Sequence, residues 1–236
     1  MINFSIILTT YQRPDGTTPN VLTRALQSVI NQTYQNWKLF LIGDKYEDDD
    51  EFKNLSSIIN PDQIVYMNLD YAYERDKYLS DKHILWTCGG VYARNVGLQL
   101  VKDANYQYCC QLDHDDYWHP EHLEKIANAI DSNPNACVYH TLSYHYDGSI
   151  LPKKPVNNLI EKTNIGFAKL IHSSACLNLK HITYKYVNVF EETGSPFPAD
   201  AYMWERINDY CINTGNYCVV INTVTCYHLD EGNTKI

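Results

Sequence analysis

The sequence predicts an α/β protein built on a doubly wound, mostly parallel sheet flanked by helices. Three observations carry that expectation. Short apolar runs alternate with stretches of helical periodicity, each run stops at polar, turn-forming residues, and the opening order is β-α-β-α-β.

Residues 4–10 form the first run and end at the turn-rich segment 12–19, as a buried parallel strand and its loop do. Thr18 and Pro19 supply an expected N-cap and first helical position. Val21, Leu22, Ala25, Leu26, Val29 and Ile30 then share one helical face. A second run, 38–42, ends at Gly43 and Asp44, with a helix expected near 51–59 and a third run at 64–69. Residues 71–88 lack clear periodicity and read as a long loop with local structure. A helix is expected at 93–101 behind the Gly89-Gly90 turn, although Gly97 inside it costs about 1 kcal/mol against alanine.

A strand at 106–112 runs into Asp113, a helix starts at Pro120, and another strand covers 136–144. The pattern fades between 147 and 166. That marks an expected crossing, within one domain of residues 1–236, from a nucleotide-binding half (1–146) to a smaller acceptor-binding half (147–236). A short run at 175–179, a helix from about 201 to 212 and two short strands, 217–221 and 224–229, complete the reading.

Composition narrows the function. A 236-residue chain with 44% hydrophobic and 20% charged residues suits a soluble globular domain. Its net charge of −9, with no long Lys or Arg run, argues against nucleic acid, which needs a basic face. No stretch approaches the ~18–20 apolar residues of a membrane span, and the opening ten residues lack the basic leader of a secretory signal. The eight cysteines include no CxxC pair, so buried free thiols in a reducing, cytoplasmic setting are expected.

The strongest chemical signal is Leu112-Asp113-His114-Asp115-Asp116-Tyr117-Trp118. Three carboxylates in four positions repel one another unless a cation or basic group balances them. Hard oxygen ligands of this kind suit Mg²⁺ or Mn²⁺ with positions left for phosphates; a solvated acidic turn ahead of the next helix reads equally well from these residues alone. In an open α/β sheet, however, ligands gather at the carboxyl ends of strands, and this cluster stands at one. Asp44 stands at another, while Thr9, Thr10 and Tyr11 bring hydroxyls and a ring face to the first. Arg94, near a helix start where the dipole disfavours a cation, fits an anionic ligand or plain solvent exposure. Asp200 precedes Met203, Trp204, Ile207 and Cys211, and serves either as an N-cap or as a general base. His140, His172 and His181 carry no assignment.

Taken in order, these segments resemble glycosyltransferase family 2, whose members have the GT-A fold. Ser5-Ile6-Ile7-Leu8-Thr9-Thr10-Tyr11-Gln12-Arg13-Pro14 resembles the family's first strand and nucleotide loop, and Leu26 to Tyr34 its first helix and following turn. Ala93-Arg94-Asn95-Val96-Gly97 resembles its Ala-Arg-Asn segment, Asp113-His114-Asp115 its Asp-x-Asp motif, and Gly232-Asn233-Thr234 its terminal match. Two departures stand out: Gly43-Asp44 and Ala199-Asp200 each keep only the second of the family's usual acidic pair.

The resemblance implies a Rossmann-like GT-A domain that moves a sugar from a nucleotide diphosphate donor, with uridine the expected base, to a glycan or other hydroxyl acceptor. It implies that Thr9, Thr10, Tyr11, Arg13, Asp44, Arg94 and Asp113 hold the nucleotide. Asp113 and Asp115 would hold Mn²⁺ or Mg²⁺, with His228 and Asp230 completing that shell, and Asp200 would be the base of an inverting displacement. A catalytically silent sugar-nucleotide binding module and a nucleotidyltransferase are the alternatives; the second lacks the Lys- and Arg-rich triphosphate loop it would need.

Overall fold

The computed structural model describes residues 2–152, 160–166 and 169–229. One sheet organises them. β1 (Phe4–Thr10), β2 (Trp37–Gly43), β3 (Ile64–Asn68) and β4 (Tyr108–Asp113) pair in parallel in the order β3-β2-β1-β4. The chain thus leaves β1 for one side and returns to β4 on the other, which makes the carboxyl ends of β1 and β4 the topological switch point. The sheet continues through β9 (Ala175–Asn178), β6 (Val138–His145), β10 (Cys218–His228) and β5 (Tyr117–Trp118). β6 and β10 are parallel, while β9 runs antiparallel to both β4 and β6. Two short strands lie beside this path: β7 (Ile150–Leu151) on β6 and β8 (Ile160–Thr163) on β10.

Helices cover both faces. α1 (Thr18–Ile30) and α6 (His122–Ser132) bury Leu22, Leu26, Leu123 and Ile126 against Ile6 and Leu8 of β1. Ile7 points the other way and packs with α5 (Val91–Asp103) and α8 (Ala199–Thr214) through Leu98, Met203, Trp204 and Ile207. Both faces being covered explains why the β1 run is apolar without alternation. Each such Leu or Ile contributes roughly 1.5–3 kcal/mol by burial. α2 (Asp49–Ser56) flanks β3, and α7 (Val189–Thr193) precedes α8.

Gly97 has a packing reason. A Cβ there would lie 2.8 Å from Ile7 Cγ2, so glycine lets α5 approach β1 more closely than alanine would. Segment 71–88, expected as a loop, holds two short helices, α3 (Tyr73–Lys77) and α4 (Lys82–Cys88). Asp81 caps the second by accepting from the His83 and Ile84 amides. The two C-terminal strands are one, β10, whose register shifts between Ile221, Val224 and Cys226. Thr18 is not the cap of α1. Thr17 holds that place, and the Thr18 hydroxyl instead accepts from the Arg13 amide and donates to the Tyr11 carbonyl, tying the loop after β1 to the helix.

All eight cysteines are free and buried. Among the described residues no helix is long and apolar enough to cross a membrane.

Candidate functional site

The site lies along the carboxyl ends of β2, β1 and β4. Thr9 stands opposite Asp113 in the β1–β4 register, and the Asp44 amide donates to the Thr10 carbonyl at 2.7 Å. The Tyr11 ring lies 5.2 Å from His114 by centroid, and the Arg75 guanidinium carbon is 4.5 Å from the same ring centroid. Arg75 Nε donates to Asp44 Oδ2 at 2.9 Å, and Nη2 reaches the Asp44 carbonyl. Asp44 is 3% exposed and its Oδ1 is buried without a hydrogen-bond partner in the described structure. Burial pushes its carboxyl above the usual range, against the pull of Arg75. Beside this group opens a cavity of about 490 Å³ lined by Gln12, Arg13, Lys45, Glu51 and Arg75 among others, a size that suits a small-molecule site.

The acidic run after β4 divides into three environments. Asp113 Oδ1 accepts from Arg94 Nη2 at 2.9 Å, and its amide donates to Ser173 Oγ. Burial would raise this carboxyl, but the Arg94 charge and hydrogen bond, with the nearby His228, together hold Asp113 well below the usual carboxylate range. Arg94 is itself set by the glycine turn, donating to the Gly89 carbonyl beside Gly90, whose φ of +78° favours glycine. Asp115 Oδ2 accepts from Arg13 Nη2 at 2.6 Å, and its carbonyl accepts from Arg24. Burial and the neighbouring Asp113 charge raise Asp115, against Arg13.

Asp116 is fully buried and has its own set of partners. It accepts from Ser173 Oγ, from His228 Nδ1 at 2.9 Å and from the Leu229 amide. Burial raises Asp116 to about 6; at His228 burial is outweighed by the Asp116 contact, which lifts the imidazole to about 9. His228 therefore reaches the cluster through Asp116, an arrangement in which a carboxylate fixes one ring nitrogen and orients the other. Asp230, expected beside it, lies outside the described residues, as does the Gly232-Asn233-Thr234 match.

Asp200 sits in the first turn of α8. Pro198 occupies the N-cap position, so the N-cap reading of Asp200 is corrected: its Oδ1 accepts from the adjacent Ala201 amide. Its charge acts on Arg94, His172 and Tyr186, which places it in the electrostatic neighbourhood of Asp113. His172 is 5% exposed and packs 5.6 Å from both Tyr186 and Trp204 by ring centroid. Burial holds it neutral, below its usual value.

Four residues of this site carry no assignment from sequence. Asp116 was visible in the acidic run without a role. Arg75 lay in an aperiodic stretch, and His172 and Ser173 arrive through the short 3₁₀ turn His172–Ser174 that leads into β9.

The chain is similar to known glycosyltransferases in sequence and fold. The model for glycosyl transferase family 2 matches residues 85–190. An uncharacterized glycosyltransferase of Acanthamoeba polyphaga mimivirus is 36% identical, covering 99% of this chain and 96% of its own length. The Escherichia coli enzyme UDP-Glc:alpha-D-GlcNAc-diphosphoundecaprenol beta-1,3-glucosyltransferase WfgD is 25% identical over 87% of this chain and 73% of itself. Among solved structures, Staphylococcus aureus TarS 1-349 in complex with UDP-GlcNAc superposes with a TM-score of 0.67 at 16% identity, over 97% of this chain and 58% of that one. With a near full-length relative above 30% identity and the sheet order of a GT-A domain, the chain belongs to glycosyl transferase family 2 and is a glycosyltransferase.

Proposed function

We propose that the protein transfers a sugar from a UDP-sugar to an acceptor hydroxyl, with inversion at the anomeric carbon and with a divalent cation at Asp113 and Asp115. The observation that carries this reading is the meeting, at one switch point, of an ionised Asp113, an arginine-braced Asp115 and a buried carboxylate beside an aromatic face. The UDP-glucose in the name of WfgD and the UDP-GlcNAc held by TarS support a uridine donor.

Asp44 Oδ1, a buried acceptor without a donor, suits the imide N–H of uracil, while Arg75 offers a donor next to it. Tyr11 supplies the stacking face, and Thr9 stands opposite Asp113 in the β1–β4 register, while Thr10 is buried with its hydroxyl on His114 Nδ1. The donor set at the acidic run fits a hard cation: the arginines take Asp113 Oδ1 and Asp115 Oδ2, and the second oxygen of each is the ligand required. Diphosphate oxygens would share the coordination. When bound, Mn²⁺ or Mg²⁺ supplies charge stabilisation for the departing diphosphate. Arg13 and Arg94 brace the carboxylates and lend positive charge to the same region. Asp200 accepts the acceptor hydroxyl's proton as that oxygen bonds to the anomeric carbon and the bond to UDP breaks.

The test is turnover of UDP-sugars with Mn²⁺, followed by NMR assignment of the product's anomeric configuration. Inversion is expected, and Asp200→Asn is expected to lower kcat by about 10²–10⁴-fold with UDP binding retained. A retained configuration would overturn the single displacement.

A further inference from the structure

Beyond the carboxylates the molecule turns aromatic. β6 and β10 end side by side, with Tyr144 opposite Tyr227 and His145 opposite His228, and β5 sets Tyr117 opposite Tyr227. Alternation along a strand sends the two sets to opposite sides. On one side Tyr117 and Tyr227 stack at 4.7 Å with their planes 5° apart, and Tyr144 follows at 6.4 Å. On the other, His228 lies 5.0 Å from His145, and His145 lies 4.2 Å from Tyr146.

The second series begins at the site and leads outward. His228 is anchored on Asp116, and two rings later Tyr146 is 51% exposed. Beside it, Asp147 Oδ1 lies 3.3 Å from His145 Nδ1, with its side chain 55% exposed. An exposed ring face next to a carboxylate and an imidazole is chemistry that holds a pyranose. The ring covers the sugar's apolar C–H face, and the polar groups take its hydroxyls. Asp147 and the net charge of −9 disfavour an anionic ligand here. The donor's base belongs elsewhere, since Tyr11 and Asp44 follow β1 and β2, on the far side of β4 and β9 from β6.

We infer that Tyr146, His145 and Asp147 form the acceptor subsite and that it takes a neutral pyranoside, an inference that rests on the donor reading above. The test is saturation-transfer NMR on the full chain with UDP and Mg²⁺ present. The probes are the methyl β-glycosides of glucose, galactose and N-acetylglucosamine, with methyl β-glucuronide as the charged contrast. Transfer onto at least one neutral glycoside is expected, weaker onto the glucuronide. Tyr146→Ala should reduce it at least fivefold, and Tyr146→Phe should preserve it.

No transfer from the wild-type protein onto any neutral glycoside overturns the inference, as does equal transfer from wild type and Tyr146→Ala. Calorimetric UDP titration separates the two readings. If UDP does not bind, the donor reading falls. If UDP binds wild type and Tyr146→Ala alike while the glycoside contacts are equal, the acceptor subsite alone falls.

Discussion

Asp113 and Asp44 stand on the same sheet edge, each held by an arginine, yet their surroundings drive them in opposite directions. At Asp113 burial opposes the charge, but the Arg94 charge and hydrogen bond together with the His228 charge overcome it, and the carboxyl stays ionised. At Asp44 burial wins over Arg75, and Asp76 nearby adds a repelling charge. The ion pairs have the same 2.9 Å length. What differs is the balance of charge around them. On the proposed reading, the β4 end keeps an anion for a cation and diphosphate. The β2 end, on the same reading, presents the one buried Asp44 oxygen to a neutral donor group.

The largest effect that breaks this comparison is loss of the Asp113 charge. Asp113→Asn leaves Arg94 facing a neutral amide, with destabilisation of about 3 kcal/mol expected. That is the low end for a buried pair, because Asp113 keeps 24% of its side-chain surface exposed. Asp44→Asn is expected to lose only about 1 kcal/mol, since burial already opposes that charge. Urea denaturation at pH 7 measures both, and equal losses would remove the distinction.

Glu74 sharpens the same point on α3. It is 2% exposed, accepts from the Tyr92 amide at the start of α5, and is pushed by burial to about 7, with the Asp44 charge adding to the rise. A folded value raised above the unfolded 4.5 gives stability that is fully present below pH 4.5 and is lost as pH rises through 7. Glu74→Gln should therefore match wild type near pH 4.5 and exceed it at pH 8, by up to about 3 kcal/mol. Thermal melts across pH 4.5–8 read this, and a pH-independent difference would contradict it.

Gly97→Ala is expected to have the smaller effect of about 1–2 kcal/mol. Its added methyl meets Ile7 at 2.8 Å, which outweighs the helix-propensity gain of about 1 kcal/mol. Because α5 carries Arg94 and not Arg75, the shift should loosen the Asp113 end and leave the Asp44 end intact. Stabilisation by this substitution would show that the close approach of α5 to β1 is not tight.

Much of the β4 end was legible in sequence, and less of the β2 end. Asp113 and Asp115 announce themselves as like charges at the end of an apolar run, and Arg94 follows a double glycine that punctuates the chain. Gly97, a cost when read as helix propensity, is the contact that seats α5. Arg75 and His172 gave no such signal. Each depends on which segment folds over the sheet edge, and that is decided by packing far apart in the chain. The β10 strand was split in two because Asn222 and Thr223 interrupt its apolar run, where the structure absorbs them as register shifts.

The proposed cation at Asp113 and Asp115 is tested by calorimetric titration of UDP in Mn²⁺, in chelator, and with Asp115→Ala. Binding is expected to require both the cation and Asp115, with chelator and substitution each abolishing it. UDP binding of equal strength in all three conditions would contradict the cation at Asp113 and Asp115, and absence of binding in all three would contradict the uridine donor.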